Sequence, residues 1–382
     1  MRNSRRSCVD GFIVMDVMET ARAAEAEGRH IVHMEIGQPG TGAPAGARAA
    51  LAEALEAGPL GYTVGLGQPE LRARIAQLYA EWYGVSLDPG RVVVTAGASG
   101  AFILAFSALF DNGARVGLGT PCYPSYRQIL TAMGLDPVSL PTGLETRYQP
   151  VPDQVTEDLD GLIVASPANP TGTMLDREAM AALIEACTAR GVSLISDEIY
   201  HGLHHDERAV SALELTDEIY VINSFSKYFS MTGWRIGWMV VPEDHVRVVE
   251  RLAQNLFICA PHASQVAALA ALECREELEG HKDVYARNRS VLLAALQGIG
   301  LTRFAPPDGG FYIYADVSDW TTDSLALSEE ILREAGVAVT PGLDFDPDRG
   351  GSFLRLSYAG PEAEIAVGAE RLAAFFKARR PD

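Results

Sequence analysis

Lysine is scarce in this chain. Of 31 basic residues only three are lysines, Lys227, Lys282 and Lys377. Positive charge is short overall, with 50 acidic residues and a net charge of −19. A nucleic-acid surface needs clustered Lys and Arg to replace counterions, so that class of partner is excluded. A local basic pocket for a small anion is not. Cysteine is sparse too: Cys8, Cys122, Cys187, Cys259 and Cys274 are odd in number, widely spaced and contain no CxxC pair. That pattern makes neither a disulfide framework nor a zinc site and suits a reducing compartment. No apolar run approaches the roughly 18 residues that span a bilayer. The basic start MRNSRR is followed by FIVM, which Asp16 interrupts. A secretory core needs about 7–15 apolar residues, so a cytoplasmic location is expected.

What is present is an ordinary globular composition, 48% hydrophobic and 21% charged over 382 residues. The length suits about two to three domains or one large two-lobed α/β subunit. An amphipathic helix is expected over 13–28 and a short strand over 31–36, before the Gly/Pro-rich break GQPGTGAPAGA. From residue 91 short apolar runs alternate with helical ones: RVVVTAG, ARVGLGTP, DGLIVASP, VSLISDEIY, IYVINSFS and RIGWMVVP. Runs of this kind, unalternating and joined by helices, predict a mostly parallel sheet covered on both faces. Ligands of such sheets sit at the carboxyl ends of the strands. A long helical region is expected at about 243–297. After it, GGFYIYADVS, VAVTPG and FLRLSYAG interleave with helices over 324–335 and 361–378, forming a smaller α/β lobe joined by the N-terminal segment. The expected division is a large domain over 40–285 and a small one built from 1–39 and 286–382.

Several stretches can carry chemistry. TAGASGAF (95–102) sets small residues between a strand and a helix start, an arrangement that binds anions or simply turns tightly. SDEIY presents Asp197 and Glu198, which as neighbours on a strand point to opposite faces and form no carboxylate pair. One of them reaches a site, or they cap and solvate. The histidines of YHGLHHD lack a ligand spacing, so no metal is expected. Lys227, in SFSKYFSMTGWRIGW, is either a surface amine or a desolvated nucleophile that forms a Schiff base. Ser224, Ser226 and Arg235 around it suit a phosphate. A phosphorylated aldehyde cofactor is pyridoxal 5′-phosphate, whose ring nitrogen needs a carboxylate such as Asp197.

Taken in order, GYTVGLGQPELR, VTAGASGA, SPANPTG, SDEIY, SFSKYFSMTGWRIGW and FLRLSYA span about residues 35–360. In this set the chain resembles the fold-type I, pyridoxal phosphate-dependent class I/II aminotransferases. The resemblance implies amino transfer between an amino acid and a 2-oxo acid by ping-pong kinetics. It implies Lys227 as the Schiff-base lysine and proton shuttle, and Asp197 as partner of the ring nitrogen. Asn169 and Tyr200 would bind the phenolic oxygen, Tyr123 would stack on the ring, and Ala98, Ser99, Ser224 and Arg235 would form the phosphate cup. Tyr62 would reach the phosphate of a neighbouring subunit, which implies a homodimer with shared sites. Arg355 would grip the substrate α-carboxylate, with Asn169 and Gly37 at the substrate's edge.

Two departures stand out. Some aspartate-specific relatives carry a lysine beside the phosphate-binding glycine, where this chain reads Ala98-Ser99-Gly100, so strict dicarboxylate specificity is not expected. The family pattern PGxxFG reads PGLDFD, with Asp346 in the glycine position. The alternative chemistry is a C–S β-lyase or other amino-acid aldimine reaction on the same fold. A cofactor-sensing transcription regulator would need a helix-turn-helix domain and the opposite charge. A degenerate binding module would lack core positions that are present here.

Overall fold

A computed structural model describes residues 1–379. Its strands are β1 (Val32–His33), β2 (Val92–Thr95), β3 (Arg115–Thr120), β4 (Asp136–Pro141), β5 (Gly161–Ala165), β6 (Ser193–Asp197), β7 (Tyr220–Ser224), β8 (Gly237–Val240), β9 (Tyr312–Asp316), β10 (Val337–Ala338), β11 (Thr340–Pro341) and β12 (Phe353–Ser357). Seven of them form one sheet in the order β2-β8-β7-β6-β5-β3-β4. The pairings from β7 through β4 are parallel, while β8 runs antiparallel to both β2 and β7. This is the mostly parallel, helix-covered α/β sheet expected of fold type I.

The unalternating runs are explained by burial on both faces. Val92 and Val94 enter one core and Val93 the other; Leu162 and Val164 oppose Ile163 in the same way. Each such side chain contributes about 1.5–3 kcal/mol relative to exposure, so there is no solvent face to mark with polar residues. On one side the helix Gly97–Leu109 contributes Phe102, Ala105 and Phe106.

The smaller sheets lie in the C-terminal part. β11, β12 and β9 pair antiparallel in that order, and β1 pairs parallel with β10. The N-terminal helix runs Ile13–Ala26. The strand expected over 31–36 is only Val32–His33, because the Glu35 carbonyl turns away to accept hydrogen bonds from Arg355 and Thr340. The expected helical region at 243–297 is three helices, Val246–Leu256, His262–Ala271 and Arg275–Gly298. The first break holds Ile258 at a positive φ and Pro261, which fixes the start of the next helix. Among the described residues no helix is long and apolar enough to cross a membrane.

Candidate active site

The parallel strands deliver their last residues to one edge. β2 ends at Thr95, and the chain turns through Gly97, at φ +72°, into its helix. Ala98 and Ser99 occupy that helix's first turn, where backbone N–H groups have no intrahelical acceptor. β6 ends at Asp197 and β7 at Ser224. Three residues on comes Lys227; the chain then passes through Arg235, at φ +50°, and re-enters the sheet as β8. Gly237 pairs with both Ser224 and Thr95, so the antiparallel strand starts where its neighbours end. A Cβ at Gly97 would lie 2.5 Å from Arg235 Nη2, which shows how closely the guanidinium covers that turn. Ser226 N donates to Ser224 Oγ at 3.0 Å, and the two hydroxyls are 2.9 Å apart. Helix start, two hydroxyls and a guanidinium thus form a cradle for an anion.

Lys227 is partly buried, and its Nζ donates to the Gly37 carbonyl at 2.5 Å. Burial pushes its amine down to about 7, Arg355 and Arg235 adding to the shift and Asp197 opposing it. Asp197 is buried; desolvation pushes its carboxyl up to about 6 against the pull of its hydrogen bonds. It accepts from the Tyr126 hydroxyl and, at 3.0 Å, from Ile199 N. Glu198 points to the other side. It is buried, accepts from Ala212 N at 2.8 Å and Ser211 Oγ at 2.9 Å, and so caps the short 3₁₀ turn Ala212–Glu214. His201 is also internal: it bridges the Tyr83 hydroxyl and the Ser166 carbonyl, and burial lowers it to about 3.

On the far side Arg355 projects from β12. Its Nη1 donates to Asn169 Oδ1 at 3.0 Å, and Nη2 donates to the Glu35 carbonyl and to Thr340 Oγ1. The guanidinium lies 4.5 Å from the Tyr312 ring centroid and 4.7 Å from that of Phe345. Its Nε is buried without a partner among the described residues. Tyr312 Oη is 2.8 Å from Tyr200 Oη. Gly37 must be bare, since a Cβ there would fall 1.9 Å from Tyr312 Oη.

These groups line a cavity of about 410 Å³. It holds Lys227, Asp197, Tyr200, Ala98, Ser99, Tyr123, Asn169, Ser224, Arg235, Gly37 and Arg355 together. Tyr62 is elsewhere, 82% exposed on its loop. Sequence reasoning did not single out Tyr126 or Tyr312, which read as ordinary apolar-face aromatics. It also missed Phe12, Val14, Met15, Met18 and Arg22, which bring the N-terminal helix to the cavity mouth. Their only signal was the helix's apolar stripe. Asp346 is buried and holds Arg349 at 2.8 Å, while Arg349 donates to the carbonyls of Thr142 (2.9 Å) and Thr120 (2.6 Å). A carboxylate in the glycine position therefore ties the C-terminal part to the ends of β3 and β4.

Comparison with known proteins agrees with this geometry. Residues 29–372 match the family Aminotransferase class I and II. The chain is 47% identical over 378 residues to the valine–pyruvate aminotransferase of Mycobacterium tuberculosis, covering 97% of each. A crystal structure from Silicibacter pomeroyi, named only provisionally as an aminotransferase, is 67% identical with a TM-score of 0.94, covering 99% of this chain and all of that one. The Thermus thermophilus aspartate aminotransferase with maleate superposes with a TM-score of 0.90 at 31% identity, over 98% of this chain and 100% of its own. The chain belongs to the class I and II aminotransferases.

Proposed function

We propose that the cavity binds pyridoxal 5′-phosphate and that the preferred amino donor carries an apolar side chain. The reaction is transamination between an amino acid and a 2-oxo acid; kinship to a valine–pyruvate aminotransferase favours it over C–S elimination. The observation that carries the cofactor reading is the convergence of Lys227, Asp197 and Arg235 on one cavity, with Arg355 opposite.

The residues fit the group. Ala98, Ser99, Ser224, Ser226 and Arg235 would hold the phosphate, Tyr123 the ring face, and Asn169 and Tyr200 the phenolic oxygen. Asp197, kept acceptor-only by Tyr126 and the Ile199 amide, would hold a positive charge at the ring nitrogen. When bound, the cofactor supplies an aldehyde for the amino group and an electron-accepting ring. Arg355 binds and orients the substrate α-carboxylate through its free Nε and its fork. Lys227 Nζ, with its amine lowered to about 7 and so about half unprotonated at pH 7, can take the proton from the substrate Cα and return it to the carbon two bonds away. Met15, Met18 and Phe12 exclude water from the substrate side chain and offer it an apolar surface.

Tyr62, exposed on this chain, reaches in our reading the phosphate of a second copy, which makes the working unit a homodimer. We also propose a division into a large domain over 40–285 and a small one from 1–39 and 286–382, of which 380–382 lie outside the described residues. A cytoplasmic setting is supported by the scattered, unpaired cysteines.

Borohydride fixation of the reconstituted protein should leave the cofactor's mass on the peptide carrying Lys227. Label on Lys282 or Lys377 instead would refute the assignment. A donor screen with pyruvate and 2-oxoglutarate, read as new 2-oxo acid, should rank valine above aspartate. Release of pyruvate and ammonia from a cysteine conjugate, without amino transfer, would return the lyase reading.

A further inference from the structure

Three successive residues after β11 each tie to a different part of the chain around the cavity. The Asp344 carboxylate is buried and accepts from Ile13 N at 3.1 Å and Val14 N at 3.4 Å. These are the first amides of the helix Ile13–Ala26, whose own N-cap, Phe12, supplies no side-chain acceptor. A carboxylate from 330 residues away thus caps the helix and complements its dipole. The next residue, Phe345, stacks its ring on Arg355 and accepts through its carbonyl from Cys122 N at 3.1 Å, one residue before Tyr123. Asp346, through Arg349, fixes the same loop to Thr120 and Thr142.

The helix that Asp344 holds carries Met15 and Met18, the apolar groups at the cavity mouth. The residue beside Asp344 touches the arginine that meets the substrate's carboxylate. The distance between carboxylate anchor and apolar wall determines which side chain fits between them. The geometry points to Asp344 as a specificity-positioning residue: it sets the N-terminal helix in register with Arg355 and so selects for donors with a branched apolar side chain. This rests on the donor preference proposed above. Asp344 touches neither substrate nor cofactor; it acts through Met15 and Met18.

The test compares L-valine and L-alanine as donors, following the amino-donor half-reaction by cofactor absorbance in the wild type, Asp344→Ala and Asp344→Asn. Loss of a cap is worth about a factor of ten. Asp344→Ala should raise the KM for valine roughly tenfold with kcat within about twofold, while alanine changes less than about twofold. Asp344→Asn, which keeps one acceptor oxygen, should fall between. Hydrogen exchange on the cofactor-free protein supplies the second readout. Amides of residues 13–18 should exchange faster in Asp344→Ala, with β6 and β7 unchanged. Equal losses for both donors, a fall in kcat alone, or unchanged exchange at 13–18 would each overturn the proposal. If the wild type converts neither donor, the donor reading fails instead, and exchange alone decides whether Asp344 holds the helix.

Discussion

The cavity has a floor and a roof built on different terms. The floor comes from the carboxyl edge of the large sheet: Asp197, Ser224, Lys227 and Arg235 lie on or just beyond strands buried on both faces. The roof comes from the N-terminal helix and the small sheets, as Met15, Met18, Tyr312 and Arg355. Floor residues are polar groups, and burial shifts the acidity of two of them, Asp197 upward and Lys227 downward; roof residues offer mainly shape, with Arg355 the exception. On the function proposed above, the floor sets which bond changes and the roof sets which molecule presents it.

The comparison can be broken most sharply at Lys227. Lys227→Ala removes nucleophile and proton carrier together, and turnover should fall by roughly ten-thousandfold or more, at or beyond the top of the ~10²–10⁴ usual for one acid–base group. Residual turnover near wild type would show that the floor does not carry the chemistry. Arg355→Lys tests the charged part of the roof. About 3 kcal/mol of charge-assisted hydrogen bonding should be lost, raising KM for every donor about a hundredfold with a smaller change in kcat. Gly37→Ala strikes the seam between the two. Its Cβ would displace Tyr312 and disturb the carbonyl that holds Lys227, so kcat/KM should drop about tenfold or more. Met18→Ala should be mildest: valine loses about tenfold in kcat/KM and alanine little.

A pH profile sharpens the contrast further. Burial lowers the Lys227 amine to about 7, and only the neutral amine attacks an aldehyde. Recombination of cofactor-free protein with pyridoxal phosphate should therefore accelerate as pH rises, with its midpoint near 7. A midpoint near 10 would show an exposed, ordinary lysine.

Legibility followed the same divide. SDEIY and SFSKYFSMTGWR put Asp197, Ser224, Lys227 and Arg235 in continuous text, because strand ends and the turn after them are local structure. Gly37 and Arg355 were reachable through their flanking motifs. The roof's apolar part was not: Val17, Ala21 and Ala24 of the N-terminal helix pack against Leu332 and Ala338, while Met15 and Met18 meet the cavity. An apolar stripe reads alike whether it covers a core or a ligand. Asp344 was opaque for a simpler reason, since its partners Ile13 and Val14 lie hundreds of residues away, as do the Thr120 and Thr142 carbonyls that Asp346 reaches through its neighbour Arg349.

The reversed strand β8 has a consequence for the gene as much as for the enzyme. Residues 225–236 form a segment whose two ends are stitched to each other, Ser224 against Gly237, with Thr95 fixed on the other side. Adding or deleting one residue there slips β8 against both neighbours, and a one-residue slip turns every side chain of a strand to the opposite face. Trp238 and Met239, now in separate cores, would exchange places. The exposed loop around Tyr62 is held by single hydrogen bonds, His262 to the Gly61 carbonyl and Gln265 to the Thr63 hydroxyl, and not by strand register. Insertions and deletions should therefore be tolerated there by the isolated fold and rejected between Ser224 and Gly237, where chain length itself is under constraint.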